Sequence, residues 1–151
     1  MTPADPESKP LVTVIIVTLN QNRLLESCLE SILEQDYSNL EIIVVDNGST
    51  PPLTENFKNS RRSVVFIRNE HNLGFAGGNN AGFRAANGKY FALINDDAVA
   101  DPKWISSLVH VAENNSNAGA VASVVIDGNN PEILDSCGVG IAADGMSRQN
   151  F

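Results

Sequence analysis

Apolar positions come in two rhythms along this chain, and their alternation predicts an α/β fold. Leu11-Val-Thr-Val-Ile-Ile-Val-Thr18 is β-branched and almost continuously apolar, as a strand buried on both faces of a parallel sheet would be. From Leu24 the period changes. Leu25, Cys28, Leu29, Ile32 and Leu33 recur at helical spacing, with Glu26, Glu30 and Glu34 on another face. Leu40-Glu-Ile-Ile-Val-Val45 repeats the strand pattern and ends in the turn formers Asp46-Asn-Gly-Ser-Thr-Pro-Pro52. A short helical stretch over Leu53–Asn59 leads to a third strand, Val64-Val-Phe-Ile-Arg68.

After the glycine-rich Leu73-Gly-Phe-Ala-Gly-Gly78, the pattern predicts a helix from Asn79 or Asn80 to Ala86, closed by Asn87-Gly88 in a left-handed turn. Tyr90-Phe-Ala-Leu-Ile94 is a fourth strand running directly into Asn95-Asp96-Asp97. Asp101 caps a further helix with Pro102 in its first turn, and Trp104, Ile105, Leu108, Val109 and Ala112 form its apolar face. Gly119–Ile126 reads as a last strand. Met1–Pro10, polar and with three prolines, reads as a loose leader, so the expected organisation is a leader over 1–10 and one domain over 11–151.

Composition narrows the function. With 42% hydrophobic and 19% charged residues, the chain has an ordinary globular balance. Its net charge of −8 would repel a phosphate backbone, which argues against nucleic acid as a partner. A single bound nucleotide stays compatible, because a divalent cation can mediate between carboxylates and phosphates. Cys28 and Cys137 stand in no zinc or disulfide pattern, which suits reduced thiols and a cytoplasmic setting. No apolar run approaches the roughly 20 residues of a membrane-spanning helix, and no signal-peptide pattern is present.

Ligands of open parallel sheets bind beyond the carboxyl ends of the strands, and the residues there are unusually polar. They are Thr18 and Asn20, Asp46 and Asn47, Arg68 and Asn69, and Asn95, Asp96 and Asp97; four parallel strands would bring them to one rim. Asp96 and Asp97 fit either a simple turn or the carboxylates of a Mg²⁺ or Mn²⁺ site, whose other ligands are water and substrate phosphates. Asp46 fits either the first position of the turn before Gly48 or a hydrogen-bond acceptor for the ring N–H of uracil or thymine. Arg68 is either a solvated strand-end charge or a planar partner for a base or phosphate. Gly74, Gly77 and Gly78 precede a helix, where backbone N–H groups can approach an anion.

Other chemistries lack support. The turn after the first strand, Thr18-Leu-Asn-Gln-Asn22, lacks the glycines of a dinucleotide fingerprint, and there is no Walker A loop. His71 and His110 have no metal-ligand spacing, and no Ser/His/Asp set assembles.

Taken in order, the segments Val12–Asn20, Leu29-Glu-Ser-Ile-Leu33 with Gln35, Glu41–Thr50, Asn72–Gly82 and Tyr90–Asp97 followed by Pro102 resemble the family 2 glycosyltransferases. The similarity covers about residues 11–145 and leans toward the rhamnosyltransferase-like branch. It implies the GT-A fold, a Rossmann-like, mostly parallel sheet flanked by helices, here cut before the acceptor-binding half. It also implies inverting transfer from a nucleoside-diphosphate sugar, UDP- or dTDP-linked, to a glycan or lipid-linked acceptor, with peripheral attachment of the intact enzyme to the inner membrane face.

Residue by residue, the resemblance puts Thr18 and Asn20 at the base pocket, Asp46 on the pyrimidine, and Arg68 beside it. Asn72, Gly77, Gly78 and Asn79 lie along the nucleotide, Asn95 contacts ribose or sugar, Asp96 holds the variable middle position, and Asp97 binds the metal. Asn95 stands where many such enzymes have Asp, which bears on donor identity. The general base of the family comes from the acceptor half, and neither Glu132 nor Asp135 fits that place. The expectation is therefore a donor-binding portion, inactive alone. Two alternatives remain: a non-catalytic nucleotide-sugar-binding module and, with its glycine and arginine phosphate loop missing, a sugar nucleotidyltransferase.

Overall fold

A computed structural model describes residues 9–20, 22–53, 63–137, 139–141 and 147–149. The elements are β1 (Val12–Thr18), α1 (Asn22–Leu33), β2 (Leu40–Asp46), β3 (Val64–Arg68), α2 (Gly74–Ala85), β4 (Tyr90–Asn95) and α3 (Trp104–Asn114). They are followed by the short strands β5 (Val125–Ile126), β6 (Leu134–Ser136), β7 (Val139–Ile141) and β8 (Ser147–Gln149). The chain divides into two compact units, one ending at Ile105 and the other beginning at Ser106.

The first unit is built on a four-stranded sheet in the order β3-β2-β1-β4, with every pairing parallel. β1 lies inside the sheet, and Val12, Val14, Ile15 and Ile16 are essentially inaccessible, so its continuous apolar run reflects burial on both faces. On one face Ile15, Ile43, Val45 and Ala81 form a cluster, with Val17, Ile67, Phe83 and Ala86 packed around it. Val14, Ile16 and Val44 point the other way by strand alternation and are equally buried. In α1 the stripe Leu25, Cys28, Leu29 and Ile32 is fully buried as the period predicts, but Leu33, on the edge of the stripe, is 47% exposed.

α2 differs from expectation. It begins at Gly74, not at Asn79 or Asn80, so Gly77 and Gly78 lie within it. Glycine is a poor helix former, and local propensity alone reads this stretch as loop. Packing overrides that preference: a Cβ on Gly78 would sit 2.5 Å from Val17 Cγ1, and one on Gly82 2.6 Å from Ile15 Cγ2. The glycines four residues apart let the α2 backbone lie directly on β1. At its other end α2 stops at Ala85 with Ala86 extended (φ −78°, ψ 143°), and the left-handed turn expected at Asn87-Gly88 is absent, Gly48 and Gly74 being the glycines with positive φ among the described residues.

Two further expectations change. Of the run Gly119–Ile126 only Val125 and Ile126 form a strand, paired antiparallel with β6. A β-branched run makes a strand only where a partner supplies hydrogen bonds. From Ser106 to Cys137 no residue is buried, as suits a unit too small to enclose a core. Of the leader, residues 1–8 lie outside the described residues, whereas Lys9 and Pro10 are held: Tyr37 Oη donates to Pro10 O at 2.6 Å and Asn39 Nδ2 to Lys9 O at 2.8 Å. The helical stretch expected over Leu53–Asn59 falls, apart from the buried Leu53, outside the described residues.

Candidate functional site

Register decides what meets what at the carboxyl rim of the sheet. Thr18 pairs with Asp46 and Asp46 with Arg68, so the ends of β3, β2 and β1 present Arg68, Asp46 and Thr18 in a row, while β4 ends at Asn95, which pairs with Val17 and so faces the other side of the sheet. The chain moves outward from β1 through β2 to β3, then returns by way of α2, which contacts β1 and β2, to lay β4 on the opposite side of β1. The strand order thus reverses between β1 and β4, the place where open α/β sheets form a ligand crevice.

Asp46 is 2% exposed and fully engaged. Its Oδ1 accepts the Ser49 amide at 2.9 Å, and its Oδ2 accepts the Leu53 amide at 3.3 Å and Arg68 Nη1. Burial pushes this carboxyl up, but the Ser49, Leu53 and Arg68 donors outweigh burial and hold it below its ordinary value. The turn role and a recognition role for Asp46 therefore coexist. Arg68 completes the set by donating from Nη2 to Ser49 O at 3.2 Å, while its side chain stays 38% exposed toward the rim.

Asn20 bridges β1 to this turn. In the left-handed region (φ 62°), it donates its amide to Ser49 Oγ at 3.0 Å and accepts the Thr50 amide on Oδ1 at 2.7 Å. Beside it Thr18, 1% exposed, carries a buried hydroxyl without a hydrogen-bond partner. Buried polar atoms are normally paired, so this is a buried rim oxygen, among the described residues, with unused capacity for a ligand.

The residue that organises the rim is one that the sequence places there without assigning it a role. Asn47, 3% exposed, accepts Asn69 Nδ2 at 2.9 Å and the Leu73 amide at 3.2 Å, and donates to Asn72 Oδ1 at 2.9 Å and Gly74 O at 3.1 Å. Asn72 Oδ1 in turn accepts the Gly74 amide at 2.8 Å. This network seats the segment before α2 on the turn after β2. Gly48 allows the approach: with φ +88° it faces the backbone of His71 and Asn72, where a Cβ would lie 2.6 Å from His71 C. A dense run of turn formers was the available signal, but which loop it receives depends on register.

Of the α2 residues expected along the nucleotide, Gly78 and Asn79 are buried, Gly78 against Val17 and Asn79 donating to Phe75 O at 2.9 Å within the helix. Both are thus engaged in packing and within the helix, whereas Asn72 is exposed and Gly77 half-buried. The expected approach of an anion to a glycine loop ahead of a helix is corrected accordingly, because those glycines are part of α2.

Asn95, Asp96, Asp97 and Ala98 form a turn closed by the Ala98 amide on Asn95 O at 3.2 Å. Asp97 is exposed and Asp96 half-buried. Below them, Cys28 Sγ donates to Asn95 O at 3.3 Å, and its thiol is pushed up to about 12 by burial and then by Asp96 and Asp97. No described group of three His, Cys, Asp or Glu residues could enclose a metal ion. Two neighbouring carboxylates at an open rim instead suit a hard cation that takes its remaining oxygens from water and a diphosphate. Glu132 and Asp135 are exposed in the second unit.

Residues 13–134 match the model of the family described as glycosyl transferase family 2. The chain is 38% identical over 121 residues to an uncharacterized glycosyltransferase of Haemophilus influenzae, covering 78% of this chain and 37% of that protein. It is 33% identical over 106 residues to WfaP of Escherichia coli, a UDP-Glc:α-D-GlcNAc-diphosphoundecaprenol β-1,3-glucosyltransferase, covering 68% of this chain and 41% of the relative. Among solved structures, a mannosyltransferase from Pyrobaculum calidifontis in complex with GDP-Man and Mn²⁺ superposes with a TM-score of 0.62 at 26% identity, over 85% of this chain and 39% of its own. The chain spans about two fifths of the length of these proteins.

Proposed function

Since the chain belongs to glycosyl transferase family 2 and its sheet is that of the GT-A fold, we propose that it forms the donor-binding half of an inverting glycosyltransferase. The donor is a nucleoside-diphosphate sugar, UDP- or dTDP-linked, and the acceptor a glycan or lipid-linked sugar. One observation carries this reading: the register sets Arg68, Asp46 and Thr18 side by side at the point where strand order reverses, with β4 ending at Asn95 next to Val17 and with Asp96 and Asp97 immediately beyond.

The base lies over Thr18, Asn20, Asp46 and Arg68. Thr18 Oγ1, with no partner of its own, supplies a hydrogen bond at no internal cost. Asp46 takes the ring N–H of the pyrimidine by exchanging one of its present donors, and Arg68, already oriented by Asp46 and Ser49, flanks the ring. Asn72 and Gly77 follow the nucleotide toward α2, while Asn95 meets the ribose or sugar. Asp97, with Asp96 beside it, would hold Mg²⁺ or Mn²⁺, which when bound neutralises the diphosphate leaving group. This chain's residues position the donor and orient its anomeric carbon. The Mn²⁺ and GDP-Man bound by the Pyrobaculum relative support a metal at this rim.

Asn95 in the first position of the aspartate motif motivates the rhamnosyltransferase-like assignment and hence a dTDP-sugar. The lipid-linked acceptor in the name of the E. coli relative supports an acceptor presented at the cytoplasmic membrane face. Among the described residues no helix is long and apolar enough to cross a membrane. A thermal-shift panel of UDP-, dTDP- and GDP-sugars with and without Mn²⁺ tests base, sugar and metal together. Stabilisation by UDP- or dTDP-sugars that needs Mn²⁺ is the expected result; stabilisation by GDP-sugars alone would overturn the pyrimidine assignment.

A further inference from the structure

The aspartate turn leaves the sheet at Asn95, the last residue of β4, and the segment that follows it is pinned from below by α1 and the turn after it. Cys28, Ser31 and Gln35, spaced three and four residues apart, supply the side chains. Cys28 Sγ donates to Asn95 O at 3.3 Å, at the start of the turn. Ser31 Oγ, itself donating to Cys28 O at 2.7 Å, accepts the Ala100 amide at 3.0 Å, three residues beyond Asp97. Gln35 uses both ends of its amide: Nε2 donates to Asp101 O at 2.7 Å and to Ser31 O at 3.1 Å, and Oε1 accepts the Ile105 amide at 2.9 Å. The Asp36 amide adds a bond to Pro102 O at 2.9 Å.

We infer that Ser31 and Gln35 are positioning residues for the metal-carrying turn, acting on Asp96 and Asp97 through the backbone that they clamp. The inference rests on the donor-site reading above. The turn itself has one internal bond, from Ala98 to Asn95, and Asp97 is exposed, so its own contacts do not fix where the carboxylates stand. A cation sharing its shell with a diphosphate requires its protein oxygens at set distances, and the clamp limits where they can be. Gln35 can be replaced in volume by methionine, which removes the donor and the acceptor together. Outer partners that orient metal ligands change metal affinity without changing the ligands.

The test uses the 151-residue chain with UDP and Mn²⁺ as probes, in wild type, Gln35→Met, Ser31→Ala and Asp97→Ala. Calorimetry gives UDP affinity with and without Mn²⁺, and hydrogen exchange follows the Ala98 and Ala100 amides. In Gln35→Met the gain in UDP affinity on adding Mn²⁺ falls by about 10-fold or more, with metal-free UDP affinity within about 2-fold of wild type. Both amides exchange faster. Ser31→Ala, a replacement that helices favour, shifts the same two readouts in the same direction and serves if Gln35→Met unfolds. If wild type and Gln35→Met show the same Mn²⁺ coupling, or if exchange quickens while coupling stays unchanged, the positioning role is wrong. If wild type itself shows UDP binding without Mn²⁺ coupling, the metal reading of the rim fails first and the inference goes with it.

Discussion

Replacing Asp46 by asparagine removes one charge from a buried and well-connected group at the rim, and the structure sets the size of the effect. The side chain is 2% exposed and accepts the Ser49 and Leu53 amides and Arg68. Asparagine keeps one oxygen for the Ser49 amide but turns an NH₂ group toward the Leu53 amide and the guanidinium. A hydrogen bond to a charged group is worth about 1.5–3 kcal/mol, and breaking a buried pair outright costs about 3–5 kcal/mol. Arg68 is 38% exposed, so water recovers part of its share, leaving an expected loss of about 2–3 kcal/mol at pH 7.

The same geometry predicts the pH dependence. The folded-state carboxyl titrates below its ordinary 3.8, so folding favours the ionised form. That contribution is fully present above the unfolded-state value and is lost as pH falls through the folded-state value. Urea unfolding of wild type and Asp46→Asn at several pH values should show a gap that is constant from neutrality to about pH 5 and narrows below about pH 4. A gap under about 0.5 kcal/mol at pH 7, or one that widens on acidification, would refute the argument.

Gly48→Ala should lose about 2 kcal/mol or more in urea melts, because φ +88° is strained for alanine and its Cβ would meet the His71 backbone at 2.6 Å. Gly78→Val should cost about 1–3 kcal/mol by pushing α2 off Val17; a stability equal to wild type would mean that α2 does not rest on β1 as described. Native protein treated with iodoacetamide at pH 8 should be alkylated at the exposed Cys137 and spared at Cys28, whose thiol is buried and pushed up to about 12. Peptide mass spectrometry reads the outcome, and rapid native labelling of Cys28 would contradict it.

The parallel sheet was legible because β1, β2 and β3 are dense apolar, β-branched runs and β4 an aromatic and aliphatic one, and in β1 and β2 burial on both faces makes the run nearly continuous. The rim was legible for a related reason: strands that end in Thr18, Asp46, Arg68 and Asn95 announce their polar edge once they are parallel. α2 was not, since its glycines serve contact with Val17 and Ile15 and conceal the helix from any local reading. Asn47 and Ser49 stood out as turn formers, but their partners are set by register across more than twenty residues. Gln35 belongs to the same class, its role appearing only when the segment after β4 folds back over the end of α1.

Calorimetric titration of a UDP-sugar or dTDP-sugar into wild type and Asp97→Ala, each with and without Mn²⁺, tests the central claim most directly. The account predicts binding that Mn²⁺ strengthens in wild type and leaves unchanged in Asp97→Ala, with the two proteins equally folded. Full metal-dependent binding by Asp97→Ala would contradict it.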